Sequence, residues 1–203
     1  AANGCLASDH GVEIPYGYQV AEADADAAFR KAMAGKDLTA GEKTAYMSFV
    51  LNEVAALDAE KGWVFQLHMG AVRDVRDSLA RDLGPDTGGD ISNHTMPIVE
   101  PLRDLLNRFD GKLRMVLYSL DPTHYPTLAT LTRAFGAQVN LGSAWWFNDT
   151  PYGMRQHLEY TAGVDLLSNM AGMVSDSRKL LSYASRHEMF RRVLCDVLGT
   201  MVV

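Results

Sequence analysis

Carboxylates, guanidiniums, imidazoles and indoles recur where apolar runs of this chain break off. The clearest case is Gly172-Met173-Val174-Ser175-Asp176-Ser177-Arg178, an apolar segment that runs into an Asp and, two residues on, an Arg. Residues two apart on a continuing strand share a face. Asp176 and Arg178 would then form either a local salt bridge that fixes the next helix or a carboxylate that binds metal or moves protons beside an oxyanion-gripping Arg. His68 follows the run Trp63-Val64-Phe65-Gln66-Leu67 and precedes Gly70, a small residue that lets a ligand come close. Arg73 lies one helical turn further on, and with His68 it could hold an anionic or polyhydroxylated substrate through charge-assisted hydrogen bonds. A lone His at a strand end is more often a hydrogen-bonded core or edge residue than a ligand, and it is Arg73 at the same mouth that shifts the balance. Trp145-Trp146-Phe147 could be core, but two adjacent Trp at a strand exit cannot both face inward, so one could wall a sugar pocket.

These groups need elements to carry them. Apolar, β-branched runs alternate with stretches of helical period, which indicates strand–helix units and a parallel sheet. Five strands are expected, at residues 5–7, 63–67, 113–118, 138–141 and 170–174. Their carboxyl ends carry Ser8-Asp9-His10, then Gln66 and His68, then Tyr118, Ser119 and Asp121, then Ser143, Trp145, Trp146, Asn148 and Asp149, and finally Asp176 and Arg178. In a barrel of parallel strands such ends converge on one pocket.

The helices have punctuation. Thr39-Ala40-Gly41-Glu42 has the form of a capping box, followed by Tyr46, Phe49, Val50, Val54 and Leu57 at helical spacing and stopped by Gly62. A helix is expected after His68 with Val72, Val75, Leu79 and Leu83 as its buried stripe, and others over residues 97–109, 126–135, 152–163 and 186–198. The polar stretch Gly84 to His94 reads as a mobile loop over a site or as a plain surface connection.

Composition sets limits. The 203 residues carry a net charge of -6 with 47% hydrophobic residues, enough for a real core. The mild acidity is spread out and no Lys/Arg tract occurs, so no nucleic-acid partner is expected. No apolar run approaches the roughly 20 residues needed to cross a bilayer, and no charged-then-apolar leader is present. Cys5 and Cys195 sit in apolar segments and read as buried free thiols of a cytoplasmic protein. Both ends break off in mid-pattern, at Ala1-Ala2-Asn3-Gly4 and Gly199-Thr200-Met201-Val202-Val203, so the chain reads as a fragment of a longer protein.

Several familiar chemistries are excluded. The Gly84–His94 loop lacks the later bidentate Glu of a calcium loop. His187-Glu188 begins like a zincin motif but has Arg191 where the second His belongs. No His-x-His occurs, and nothing matches a phosphate-binding loop, a dinucleotide fingerprint or a nucleophile elbow.

Taken as longer motifs, the same residues resemble the uronate (glucuronate) isomerase family of the amidohydrolase superfamily. Gly62 to Arg73 is similar to the family's fifth-strand segment, Leu141 to Asp149 to its seventh, and Gly172 to Arg192 to its eighth strand and the segment beyond that strand. Gly4 to His10 and Leu83 to Gly88 fit further segments. The resemblance implies residues 1–203 as a single domain, the later part of a distorted (β/α)8 barrel, truncated at both ends, with about five of the eight strands. It implies an aldose–ketose isomerase that interconverts D-glucuronate with D-fructuronate, and D-galacturonate with D-tagaturonate, through an enediol and without a redox cofactor.

By position, Asp176 would be the metal ligand and a catalytic group together with Arg178 and His68. Arg73, Trp145 and Asp9 would bind substrate. The implied cofactor is a divalent metal, zinc by preference, whose His pair is absent from these residues. A homo-oligomer is compatible with the resemblance. The isolated chain is then expected to be inactive and aggregation-prone, with open sheet edges. Two alternatives stay open: a non-catalytic half-barrel that binds a sugar acid, and a metal-dependent hydrolase of the same superfamily.

Overall fold

The computed structural model describes residues 3–202. Ala1, Ala2 and Val203, part of the abrupt chain ends noted above, lie outside the described residues. In chain order the elements are β1 (Ala7–Val12), α1 (Glu22–Met33), α2 (Ala40–Lys61), β2 (Val64–Met69), β3 (Ala71–Val72), α3 (Asp77–Leu83), β4 (Ile91–Ser92), α4 (Val99–Arg108), β5 (Arg114–Ser119), α5 (Tyr125–Phe135), β6 (Val139–Leu141), α6 (Pro151–Val164) and α7 (Tyr183–Met201). Strands β1, β2, β5 and β6 form one parallel sheet in that order, and β3 pairs antiparallel with β4 as a separate two-stranded ribbon.

Register sorts the side chains onto two unlike faces. Ser8, Phe65, Met115 and Val139 lie side by side, and two residues on come His10, Leu67, Leu117 and Leu141. Phe65, Leu67, Met69, Met115 and Leu117 on this face are fully buried against Leu51 and Ala55 of α2, Leu102, Leu105 and Leu106 of α4, and Leu128 and Ala129 of α5. Burying each such side chain contributes about 1.5–3 kcal/mol, which makes this face the core. Because successive residues of a strand alternate sides, the other face carries Asp9, Gln66, His68, Val116, Tyr118 and Asn140. Most of the polar set thus gathers on that side, with Val116 among it, while Ser8 and His10 of the edge strand β1 stand on the core side.

The capping box forms as expected. The Thr39 hydroxyl accepts from the Glu42 N–H at 3.2 Å, the Glu42 carboxylate accepts from the Thr39 N–H at 2.7 Å, and Gly62 ends α2 with φ 64°. Helix α1, which its Ala- and Asp-rich sequence conceals for want of a strong apolar stripe, packs on α2 with Phe29 stacked on Tyr46 at 6.0 Å. The expected stripe of α2 is therefore not the buried one: Tyr46, Phe49 and Val54 are half-buried and Val50 and Leu57 are exposed, while Leu51 and Ala55, outside that stripe, face the core.

Three expectations are corrected. The first strand runs over 7–12, not 5–7, so Asp9 and His10 lie within it rather than beyond its tip. The helix after His68 does not begin there: Ala71-Val72 is the strand β3, the helix waits until Asp77, and Val75 and Leu83 are exposed. The fifth strand, 170–174, is extended but makes no ladder, so the sheet has four strands rather than about five. The Ala171 N–H donates to the Leu141 carbonyl at 3.0 Å, and then Gly172, at φ 83°, turns the backbone out of register.

Cys5 and Cys195 are free thiols as expected, but both are exposed. Apolar neighbours in sequence did not place them inward, since α7 points Val193 and Val197 into the core and leaves Cys195 outside. No helix among the described residues is long and apolar enough to cross a membrane.

Helix α6 brings a charge-sensitive point into the packing. His157 is 1% exposed and meets the Tyr125 ring edge-on at 4.9 Å. Burial drives its pKa down to about 4, so in the folded state it stays neutral where an unfolded chain, with an ordinary imidazole, takes up a proton. Stability from this site is then full above about pH 6.5 and is lost as pH falls towards 4. Denaturant midpoints measured across that window are expected to fall in the native protein and to flatten in His157→Phe. An unchanged slope in the variant would assign the acid lability elsewhere.

Candidate active site

The polar face of the sheet is a connected set. His68, on β2, donates its Nδ1–H to the Asp9 carboxylate of β1 at 2.6 Å. Its ring is stacked on Tyr118 of β5 at 4.0 Å and meets Trp145 edge-on at 4.5 Å. Burial pushes the Tyr118 phenol up, so it keeps its proton and donates to Gln66 Oε1 at 2.8 Å. With Nδ1 committed to Asp9, the imidazole has Nε2 left for other work, and Nε2 is buried without a protein partner. A buried imidazole nitrogen in that condition is costly, and it sits beside a cavity of about 330 Å³ lined also by Gly11, Ala71 and Arg73.

A second cavity of about 500 Å³ shares Arg73 and Trp145 with the first and extends past Asp86, Asp90, Asp176 and Arg178 to Asp149 and Arg186. The Trp145 indole N–H donates to Asp176 Oδ2 at 2.8 Å, bridging the end of β6 to the extended segment beyond Gly172. Trp146, forced to φ 49°, turns its ring under the Arg73 guanidinium at 5.0 Å. One Trp is thus buried as a hydrogen-bond donor and its neighbour walls the cavity, so the adjacent pair divides between the two readings.

Arg73 donates to Asp90 at 2.7 Å, and Asp90 also accepts the Asp74 N–H at 2.9 Å. That backbone bond and the guanidinium hold the Asp90 carboxyl below the usual carboxylate range. Arg178 pairs with Asp86, not with Asp176, which removes the local salt-bridge reading of that motif. Arg186 pairs with the buried Asp149. The Gly84–His94 loop therefore does lie over the site, tied down by its two aspartates.

All six residues singled out in the sequence reach this region: Asp9, His68, Arg73 and Trp145 in one group, and Asp176 and Arg178 across the second cavity. The convergence of five polar strand ends is only partial. Ser119 and Asp121 belong to a structural network in which Ser119 Oγ bonds His124 Nδ1 at 3.0 Å and His124 Nε2 bonds the His94 carbonyl at 3.0 Å. Asp86, Asp90 and Arg186 were not picked as site residues. Their partners lie far off in sequence, and only the need of each strand-end Arg for a counter-charge hints at them. A larger cleft of about 630 Å³ between Met173–Ser175 and α7 carries His187 and Arg191 but no carboxylate.

A divalent metal needs more than these side chains offer. A protein-bound ion takes about three protein ligands, and among the described residues no three His, Cys, Asp or Glu side chains gather to hold one. Asp176 stands alone, so these residues do not by themselves make a metal centre.

Strands whose carboxyl-end loops gather acids and guanidiniums about one cavity, with helices packed behind, define an α/β protein with a charged, polar cavity at the ends of its parallel strands. A family model described as glucuronate isomerase matches residues 1–203, and the chain belongs to that family. It is 56% identical to a uronate isomerase of Thermotoga sp. (strain RQ2) over 98% of this chain and 44% of that protein. The solved uronate isomerase of Thermotoga maritima superposes with a TM-score of 0.95 at 55% identity, covering 99% of this chain and 44% of that one. The glucuronate isomerase of Caulobacter crescentus superposes at 0.90 with 32% identity, covering 99% and 42%. The chain thus spans less than half the length of these relatives.

Proposed function

We propose that these residues form the substrate-binding arc of a hexuronate aldose–ketose isomerase of the amidohydrolase type, one portion of a (β/α)8 barrel whose inner wall is the polar face of the sheet. The observation that carries this reading is Asp176, fixed by the Trp145 N–H in a cavity that also presents Arg73 and Arg178. Two guanidiniums suit a sugar carboxylate, which accepts paired N–H donors. The Trp146 ring offers an apolar face to the sugar. His68 Nε2 and Asp9 address hydroxyl groups at the other end.

Isomerisation needs no net redox change. The C2 proton leaves, an enediol forms, and a proton returns at C1 while the carbonyl moves to C2. Asp176 is placed to hold the proton that moves, since Oδ2 is tied to Trp145 and Oδ1 has no protein hydrogen bond among the described residues. A divalent metal, zinc on the resemblance, would polarise the carbonyl oxygen when bound. Asp176 would be one ligand and the rest would come from outside these residues. The test is product identity: the full-length protein given D-glucuronate in heavy water is expected to yield a 2-ketose carrying deuterium at C1. Absence of ketose from both D-glucuronate and D-galacturonate would overturn the reading.

A further inference from the structure

We propose that Asp86 is a built-in competitor for the substrate carboxylate, seated on Arg178 and Arg73 until a hexuronate displaces it. The inference rests on the uronate reading of the site. Two carboxylates approach Arg73, and they differ in kind. Asp90 is 2% exposed in its side chain and is held by both the guanidinium at 2.7 Å and the Asp74 N–H at 2.9 Å. Asp86 is 46% exposed, stands 3.7 Å from Arg73, and pairs with an Arg178 that is itself 81% exposed. Asp90 is a fixed support, whereas the Asp86 carboxylate is held by solvent-facing ion pairs.

The backbone marks the same residue. Asp86 sits at φ 62° and Asp74 at φ 52°, both in the left-handed region, and the Asp86 N–H donates to Asp74 Oδ1 at 3.1 Å. A strained loop position that aims a carboxylate at two exposed guanidiniums is cheap to release. Its carboxylate occupies the charge that a substrate carboxylate would seek, and the loop Gly84–His94 carries it. Displacement therefore couples carboxylate binding to loop movement, and a sugar without the acid group, which cannot take the guanidiniums, leaves Asp86 seated on them.

The experiment uses the full-length protein. Asp86→Asn keeps the side-chain shape and suits the left-handed backbone, so the loop conformation survives while the competing charge is gone. Exposed pairs contribute little, so the gain is bounded at about five-fold. Asp86→Asn is expected to lower KM for D-glucuronate by about two- to five-fold, and Asp86→Glu to restore the higher value. Calorimetry with D-glucuronate should show the same tightening, while D-glucuronamide, which lacks the charge, gains nothing. Asp90→Asn should act oppositely, raising KM as Arg73 loses its support. A KM that is unchanged or raised in Asp86→Asn, or equal tightening for the amide, overturns the inference while leaving the isomerase reading intact. Wild-type protein that neither binds nor isomerises D-glucuronate overturns both.

Discussion

Asp176→Asn is expected to lower kcat/KM for D-glucuronate by about 10²- to 10⁴-fold in the full-length protein, the range of a positioned proton-transfer group. The substitution is nearly isosteric, and the amide oxygen can still accept the Trp145 N–H, so the 2.8 Å bond that fixes the side chain has a successor. What disappears is the capacity to hold a proton at the second oxygen. The loss should therefore fall on kcat, with a smaller change in KM, because Arg73 and Arg178 still hold the carboxylate. Steady-state kinetics with purified variant separates the two. Turnover within ten-fold of wild type would remove Asp176 from the chemistry. Trp145→Phe provides the companion measurement: the carboxylate remains but loses its donor, so kcat should fall less than in Asp176→Asn.

The sequence revealed the sheet through its short apolar, β-branched runs set between stretches of helical period, although alternation within them is incomplete, as Met115-Val116-Leu117 in β5 shows. Phe65, Leu67 and Met115 had to go one way, and Gln66, His68 and Tyr118 the other. It also revealed where the chemistry lies, since an apolar run that stops at Asp176 or His68 leaves polar groups at the strand end. What it hid is of two kinds. Local backbone turns are one: Gly172 breaks the pleat after a single bond to Leu141, so an apolar run that reads as a strand is only extended chain. The delay of α3 to Asp77 is similar, because Ala71 and Val72 find a strand partner in Ile91 and Ser92 nineteen to twenty-one residues later. Long-range charge pairing is the other. Arg178 has Asp176 two residues away yet bonds Asp86, ninety-two residues distant, and no spacing rule carries that information. Motif resemblance picked out Arg73, Arg178 and Asp176 without saying what would neutralise them.

Gly142→Ala is expected to destabilise the protein by about 3 kcal/mol, the upper part of the usual cost of overpacking, and to impair catalysis with it. A methyl group at Gly142 would lie 2.2 Å from Cδ1 and Cε1 of Tyr118, a distance no packing tolerates. The backbone cannot yield easily, because the Gly142 N–H is bound to the Leu117 carbonyl at 2.8 Å within the sheet. Nor can the ring. Tyr118 is 1% exposed, bonded through its hydroxyl to Gln66, and stacked on His68 at 4.0 Å. Relief of the clash must press the ring against His68 and shift Nε2 relative to the cavity, so a packing defect at the end of β6 becomes a displaced functional group on β2. Thermal or denaturant midpoints report the first effect and kcat the second. A double variant separates them. With Tyr118→Leu the space for the new methyl exists, so the combined destabilisation should fall short of the sum of the single changes by more than about 0.5 kcal/mol. Activity should stay low in the double variant, because the ring that seats His68 is gone. Strict additivity in stability would mean that Gly142 is not there to make room for Tyr118.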